Sequence, residues 1–408
     1  MADPPASRLT RREIASGVVL GHVPEPPAHR TGPARWSLGW TPPETAPVPE
    51  RAVTPLGALE QAVLPALRRP PCVVSFSGGL DSSLVLAVAL RVARREGLPH
   101  PVPVTWRFTG APRADESRWQ DRVVQALGIG DWQLLQADDD LDLVGPTAGR
   151  LLRRHGLRHP ANLHLHLPIV ELATGGSMLT GAGGDQVLGG WRRARPGPLR
   201  VRLRRGAGQF RAVLRMRRPG PEMFPWLRPE VSAEIHRAFR AERRREPRRL
   251  DRRIAWHVRR RDLGLTCASL AALGAAHGVA VVNPLLDPGF LTTLTGPDGR
   301  RRCPPRDRLV AEIAAGLLPE VVTAPRPKAR FLEVFLRGPT RRFVQRWDGS
   351  GVDEELVDVA ALRTLWSRWP IPGGTAGLVQ EVWLASSSGG GESGRPAVPR
   401  PSGPEPRR

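Results

Sequence analysis

The sequence predicts an α/β fold built on a parallel sheet and followed by an α-helical part. Three observations predict it. Short apolar runs alternate with helical patterns from about residue 55 to residue 180. Two glycine-rich stretches, at 77–79 and 181–184, each follow one of those runs directly. From about residue 200 to 350 the pattern is helical, with basic faces and few strand signals. Ligands of such sheets sit beyond the carboxyl ends of the strands, which is where both glycine stretches fall.

The elements follow in order. Residues 1–50 are proline-rich and weakly periodic and read as a mostly irregular arm. Residues 55–68 read as a helix leading into a strand at Cys72-Val73-Val74-Ser75-Phe76. After the glycine turn, Leu84 to Leu90 continues as a helix that Gly97 caps. Val102–Phe108 is the second strand, and a helix begins near Asp115. Trp132–Gln136 is the third strand, 163–174 a helix and Ser177–Thr180 the fourth strand. The expected layout is an arm over 1–50, a domain over 51–350 and a C-terminal helical segment over 351–385. Within the domain, 51–195 is the α/β core and 196–350 the mainly helical part. The tail over 386–408 is serine, glycine and proline with little to bury, and is expected to be disordered.

Composition narrows the function. The 408 residues suffice for a sizeable core and about two domains. No run approaches the ~20 apolar residues of a membrane span, and no apolar signal region opens the chain. Cys72, Cys267 and Cys303 are far apart with no Cys-x-x-Cys pair, which argues against a disulfide framework, a zinc site and a sulfur-transfer centre. A cytoplasmic protein is expected, with no membrane partner. The net charge of +22 is almost all arginine, concentrated between Trp191 and Arg261 in runs such as Arg243-Arg244-Arg245. Such charge can drive phosphate-backbone binding, yet aromatics such as Phe210, Phe239 and Trp256 are too sparse for stacking platforms and the chain has no tyrosine. A compositional bias toward arginine explains the charge as well, and nucleic acid is not an expected partner.

The chemistry concentrates in two loops. Ser77-Gly78-Gly79-Leu80-Asp81-Ser82-Ser83 lies between strand and helix. Glycines let the backbone approach a phosphate, the helix start offers unpaired N–H groups, and the serines add hydroxyl donors. No Gly-Lys-Ser/Thr follows, so this is not the kinase-type phosphate loop. The second loop, Thr180-Gly181-Ala182-Gly183-Gly184-Asp185, again places glycines and a carboxylate after a strand. Asp81 and Asp185, reaching one place from two strand ends, would suit a Mg2+ on phosphates. Lys328 is the only lysine among sixty arginines. It offers a compact charge suited to a phosphate or a developing oxyanion. His164 and His166 precede Pro168 and read as a helix start rather than a metal site.

The first loop resembles the pyrophosphate-binding loop of the ATP pyrophosphatases, which cleave ATP to AMP and pyrophosphate. With Asp115-Glu116 and the Gly-x-Gly-Gly-Asp loop, the chain resembles the synthetase domain of the asparagine synthetases, a group that includes β-lactam synthetases and lasso-peptide cyclases. Ala280-Val281-Val282-Asn283-Pro284-Leu285-Leu286-Asp287 is similar to the family's Glu-x-Arg-x-Pro-Phe-Leu-Asp, and Arg326-Pro327-Lys328-Ala329-Arg330-Phe331 to its Arg-x-Lys-x-x-Phe. The resemblance implies an adenine nucleotide alpha hydrolase-like (PP-loop) fold, a five-stranded parallel sheet with helices on both faces and a C-terminal helical subdomain. It implies ATP and Mg2+ as cofactors. Ser77, Gly78, Gly79, Leu80, Asp81, Ser82, Ser83, Gly183 and Gly184 would bind the nucleotide, Asp81 and Asp185 the metal. Lys328 would be catalytic in adenylation and amide formation.

The departures are local. Ala182 and Ala280 replace family glutamates, and Val282 replaces the arginine. Alanine can neither deprotonate an amine nor bind an acid. Residue 2 is Ala2 instead of a cysteine nucleophile, so glutamine hydrolysis within this chain is not expected. The implied activity is an AMP-forming C–N ligase acting on a small-molecule or peptide carboxylate, with free ammonia or a substrate amine. A separate partner that delivers the amine or presents a peptide is compatible with this. Three alternatives stay open: a lasso-peptide or other macrolactam synthetase, an RNA-modifying adenylating enzyme, and a non-catalytic nucleotide-binding remnant.

Overall fold

The computed structural model describes residues 8–22, 54–191, 223–296, 300–319, 322 and 329–389. Lys328 and the first part of the arginine-rich stretch, residues 192–222, lie outside the described residues. So do most of the proline-rich arm and the tail beyond 389.

The chain opens with α1 (Arg11–Ser16) and α2 (Pro55–Leu67). The α/β core then runs β1 (Cys72–Ser75), α3 (Leu80–Glu96), β2 (Val102–Phe108), α4 (Ser117–Ala126), β3 (Gln133–Ala137), α5 (Pro146–His155), α6 (Leu167–Leu172) and β4 (Ser177–Leu179). Next come α7 (Pro229–Arg245), α8 (Leu250–Val258), α9 (Arg261–Ala275), β5 (Ala280–Val282), α10 (Pro288–Thr295) and α11 (Arg306–Ala314). The last helices are α12 (Leu332–Phe335), α13 (Gly338–Gln345), α14 (Val359–Trp366) and α15 (Ala376–Gly389).

The sheet has five strands in the order β3-β2-β1-β4-β5, all parallel. Strand side chains alternate between faces, and consecutive residues accordingly enter different cores. Val74 joins Phe76, Leu179 and the apolar sides of α2, α3, α8, α10 and α11. Val73 joins Val104, Met178, Trp106 and residues of α5, α6, α9, α14 and α15. Helices therefore cover both faces, as the resemblance implies and as the doubly apolar strands require. Helix α3 is buried over nearly its whole circumference from Ser82 to Ala93, and Gly97 at φ +64° ends it. Strand order reverses between β1 and β4, which makes the crevice at their carboxyl ends the topological switch point.

Four elements differ from the sequence expectation. Residues 11–16, inside the arm read as mostly irregular, form a helix. Thr10 Oγ1 accepts from Glu13 N at 3.2 Å while Glu13 Oε2 accepts from Thr10 N at 2.8 Å, a capping box. The fifth strand comes from Ala280–Val282, within the stretch read as mainly helical, because β4 supplies its pairing partner: Ser177 faces Ala280 and Leu179 faces Val282. The helix expected over 163–174 is a 3-10 turn at Leu163–His166 followed by the short α6, with Pro168 in its first turn. Helix α15 runs to Gly389, into the stretch expected to be disordered from 386. No helix of the described residues is long and apolar enough to cross a membrane.

Candidate nucleotide site

The first loop takes its shape from three serines. Gly78 has φ +76°, a conformation that favours glycine, and a Cβ there would lie 2.8 Å from Gln120 Cγ. Ser77 Oγ accepts from Gly79 N at 3.1 Å and lies 3.2 Å from Ser82 Oγ. Ser82 and Ser83 each donate to the carbonyl of Gly79, at 3.1 and 2.8 Å. Gln120 Nε2 donates to Ser77 O at 3.3 Å, tying the loop to α4. Gly79 is the N-cap of α3 and brings no side-chain acceptor to it, so the positive end of a 17-residue helix opens at this loop. Ser83 is wholly buried and its hydroxyl points into the loop, so it braces the turn, whereas Ser77 is exposed toward solvent.

The second loop leaves β4 through a polar lock. Thr180 Oγ1 bonds Asn283 Oδ1 at 2.5 Å and accepts from Ala182 N at 3.1 Å. Thr180 N donates to Val282 O at 3.0 Å, extending the β4–β5 pairing. Gly183, at φ +86°, leaves room for Leu286; a Cβ there would meet Leu286 Cγ at 2.5 Å. Asp185–Gly189 then makes one π-helical turn.

The two loops meet. A Cβ on Gly181 would lie 3.2 Å from Asp81 Cβ and 3.1 Å from Ser82 N, so the second loop lies directly against the start of α3. Asp81 and Asp185 converge on one guanidinium. Arg306 Nη2 pairs with Asp81 Oδ2, and Arg306 Nη1 pairs with Asp185 Oδ1 at 2.6 Å. Burial works against the charge of Arg306, but Asp81 and then Asp185 outweigh it and raise its pKa. Two hard oxygen donors within reach of one cation fit a Mg2+ that takes its other ligands from phosphates and water. Among the described residues no group of three or more His, Cys, Asp or Glu side chains could hold a metal by itself.

The remaining sequence candidates divide. Asp115 is exposed and its Oδ1 accepts from Ser117 N at 2.8 Å, which lowers its pKa and starts α4. Asp287 caps α10, accepting from Phe290 N at 3.0 Å, so the Pro-Leu-Leu-Asp stretch ends in a structural aspartate. Ala182 packs on the second core, and Ala280 and Val282 are partly exposed on β5. His164 is buried with Nε2 2.9 Å from Leu141 O, and His166 Nδ1 lies 3.5 Å from Ser75 Oγ at the end of β1. Neither belongs to a metal site of the described residues.

Lys328 lies outside the described residues, but the segment that follows it is fixed at the carboxyl end of β2. Arg330 N donates to Arg113 O at 2.8 Å, Arg113 N donates to Glu333 Oε1 at 2.5 Å, and Phe331 packs edge-on against Phe108 at 5.9 Å. Arg306 is the site residue that sequence reasoning missed. One arginine among sixty carries no signal of its own, and its place at the start of α11 shows only in the fold.

A family model for asparagine synthase matches residues 56–384 of the chain. A 7-cyano-7-deazaguanine synthase of Paramagnetospirillum magneticum is 44% identical over 78 residues, 19% of this chain and 31% of that protein. The chain thus spans less than a third of the length of that curated relative.

Proposed function

The chain belongs to the asparagine synthase family, and on that premise we propose that it is an ATP-dependent amide-forming ligase of the AMP-forming type. One observation carries the reading: Asp81 and Asp185, from the ends of β1 and β4, converge on the guanidinium of Arg306 beside the open N-terminus of α3.

In this reading a carboxylate oxygen of the acid attacks the α-phosphorus of ATP, and the bond to the β-phosphate oxygen breaks. Pyrophosphate leaves, and an acyl adenylate remains. An amine nitrogen then attacks the acyl carbon, loses a proton, and AMP departs. The Ser77–Ser83 loop and the first N–H groups of α3 would hold the departing pyrophosphate, with Gly183 and Gly184 lining the other side. Asp81 and Asp185 would hold Mg2+, which when bound neutralises charge on the phosphate oxygens. Lys328 would place a point charge on the transition states of both steps. With alanine at 182 and 280, the proton of the amine leaves to a group other than those two positions. Free ammonia or a substrate amine would be the nitrogen donor.

The identity to a 7-cyano-7-deazaguanine synthase favours a second reading, in which the activated group is carried on a purine-like heterocycle. A macrolactam-forming variant differs only in which acid and amine are presented.

ATP–pyrophosphate exchange screened over aspartate, heterocyclic carboxylates and peptide acids tests these together. Exchange with one class selects the acid, and Lys328→Ala should abolish it. ADP instead of AMP as product would sink the whole proposal.

A further inference from the structure

We propose that Arg306 is the resident cation of the Asp81–Asp185 pair: it occupies both carboxylates until a divalent metal displaces it, and so sets the metal affinity of the site. The inference rests on the nucleotide-site reading above.

Arg306 is the first residue of α11, and its backbone is held by Leu309, Val310, Ile313 and Ala314, each at most 3% exposed. Its side chain is 31% exposed, so the head can leave while the helix stays. Its stem crosses Gly189, where a Cβ would sit 3.5 Å from Arg306 Cδ. The fork spans two loops, one end on Asp81 Oδ2 and the other on Asp185 Oδ1. Its Nε is buried without a hydrogen-bond partner among the described residues, so the two carboxylates are the anchors of the guanidinium.

A guanidinium and a Mg2+ compete for these two oxygens, because both are cations and both would sit between the carboxylates. Arg306 takes one oxygen of each carboxylate, Asp81 Oδ2 and Asp185 Oδ1, and holds them in the fixed plane of its fork. A Mg2+ drawing those two oxygens into an octahedral shell at about 2.0–2.1 Å would have to displace it, since two cations cannot sit side by side on the same oxygen pair. Binding therefore selects the form in which Arg306 has swung away, and the apparent dissociation constant rises by the reciprocal of that form's population. If the clamped form dominates by about ten to one, removing the guanidinium tightens metal binding about tenfold. The clamp also keeps the two carboxylates from repelling one another before nucleotide arrives. Asp81 and Asp185 each make a further contact besides Arg306.

The test is Mn2+ binding in the absence of nucleotide, followed by electron paramagnetic resonance of free Mn2+, with a thermal melt of the metal-free protein beside it. Arg306→Gln should bind Mn2+ about tenfold tighter than the unaltered chain. It should also melt lower without metal and recover when Mn2+ is added. Arg306→Lys, which cannot fork across both loops, should fall between the two, and it carries the test if Arg306→Gln does not fold. Asp185→Asn should abolish binding in every background. Mn2+ affinity that is unchanged or weaker in Arg306→Gln, or no binding by either protein, overturns the proposal. The ligase reading fails separately. Absence of pyrophosphate exchange with every acid would sink it while leaving the Mn2+ difference intact. Exchange with an unmoved Mn2+ affinity would sink only the role of Arg306.

Discussion

A Cβ on Gly184 would lie 2.7 Å from the Cβ of Asp81, and nearer still to its carboxyl group. The two loops of the site are therefore packed to the limit at this one glycine. Gly184→Ala must push Asp81 off its position or part the loops. A displacement of about 1 Å at such a site can cost about a hundredfold in rate. Gly184→Ala is expected to lower pyrophosphate exchange by that order while far-ultraviolet circular dichroism stays unchanged. Gly181→Ala, whose Cβ would sit 3.1 Å from Ser82 N, should lose less. Exchange by Gly184→Ala at the level of the unaltered chain would show that Asp81 does not act from this position.

The parts of this site that could be read from sequence are those where an apolar run stops at a glycine. Cys72–Ser75 and Ser177–Leu179 are buried strands with no polar alternation, and the glycine turn after each marks the carboxyl end of the sheet. Asp81 and Asp185 could be paired on that ground alone. Ala280–Val282 could not be read as a strand, since three small, partly exposed residues in an alanine-rich chain show no period until β4 pairs with them. Arg306 could not be read because its role is a long-range contact, 225 residues from Asp81. Helix α1 did have a signal, the Thr10-x-x-Glu13 box followed by Gly17, but the prolines that follow it dominate the composition of the arm.

Helix α1 should matter to stability more than an irregular arm would. Ile14, Ala15 and Val19 are buried, Trp226 Nε1 donates to Ala15 O at 2.8 Å, and Glu13 holds Arg261 at 2.7 and 3.0 Å. Burying one large aliphatic side chain contributes about 1.5–3 kcal/mol. Deleting residues 1–22 is expected to cost on the order of 3 kcal/mol in urea unfolding. Gly17→Ala should reproduce part of the loss, because Gly17 has φ +66° and its Cβ would collide with Gly374. A truncated chain with the same urea midpoint as the full one would show that the helix contributes nothing.

Asp142 is a heavily bonded buried carboxylate away from the site. It is fully buried; its Oδ1 accepts from Thr340 Oγ1 at 2.6 Å and from Thr340 N and Val144 N at 3.0 Å, and its Oδ2 from Arg337 N at 2.7 Å. These bonds join the loop before α5 to the start of α13. Asp142→Ala would strand several buried donors at once, each worth about 1–3 kcal/mol when left unsatisfied. A loss on the order of 3 kcal/mol is expected in urea unfolding, against ~1 kcal/mol for Thr340→Val. Equal losses for the two variants would mean that Asp142 acts through Thr340 alone.

The pair His164 and His166 should give the protein an acid limit well above the carboxylate range. Burial, then the neighbouring His164, lowers the pKa of His166 from 6.5 to about 4, and burial lowers that of His164. A histidine with a folded pKa below its unfolded value binds its proton more readily in the unfolded chain. Stability is therefore full above pH 6.5 and falls as the pH drops below it, and for His166 the fall continues to about pH 4. Each such histidine contributes a slope of at most about 1.4 kcal/mol per pH unit. Urea midpoints measured from pH 7.5 down to 5 should fall more steeply for the unaltered chain than for His166→Asn. The difference between the two curves isolates His166 from His22 and His257, whose values burial also lowers. Ser75 Oγ, 3.5 Å from His166 Nδ1, stands at the end of β1, so His166 sits against the strand that carries the first loop. Parallel curves for the two proteins would show that His166 titrates as it does in water.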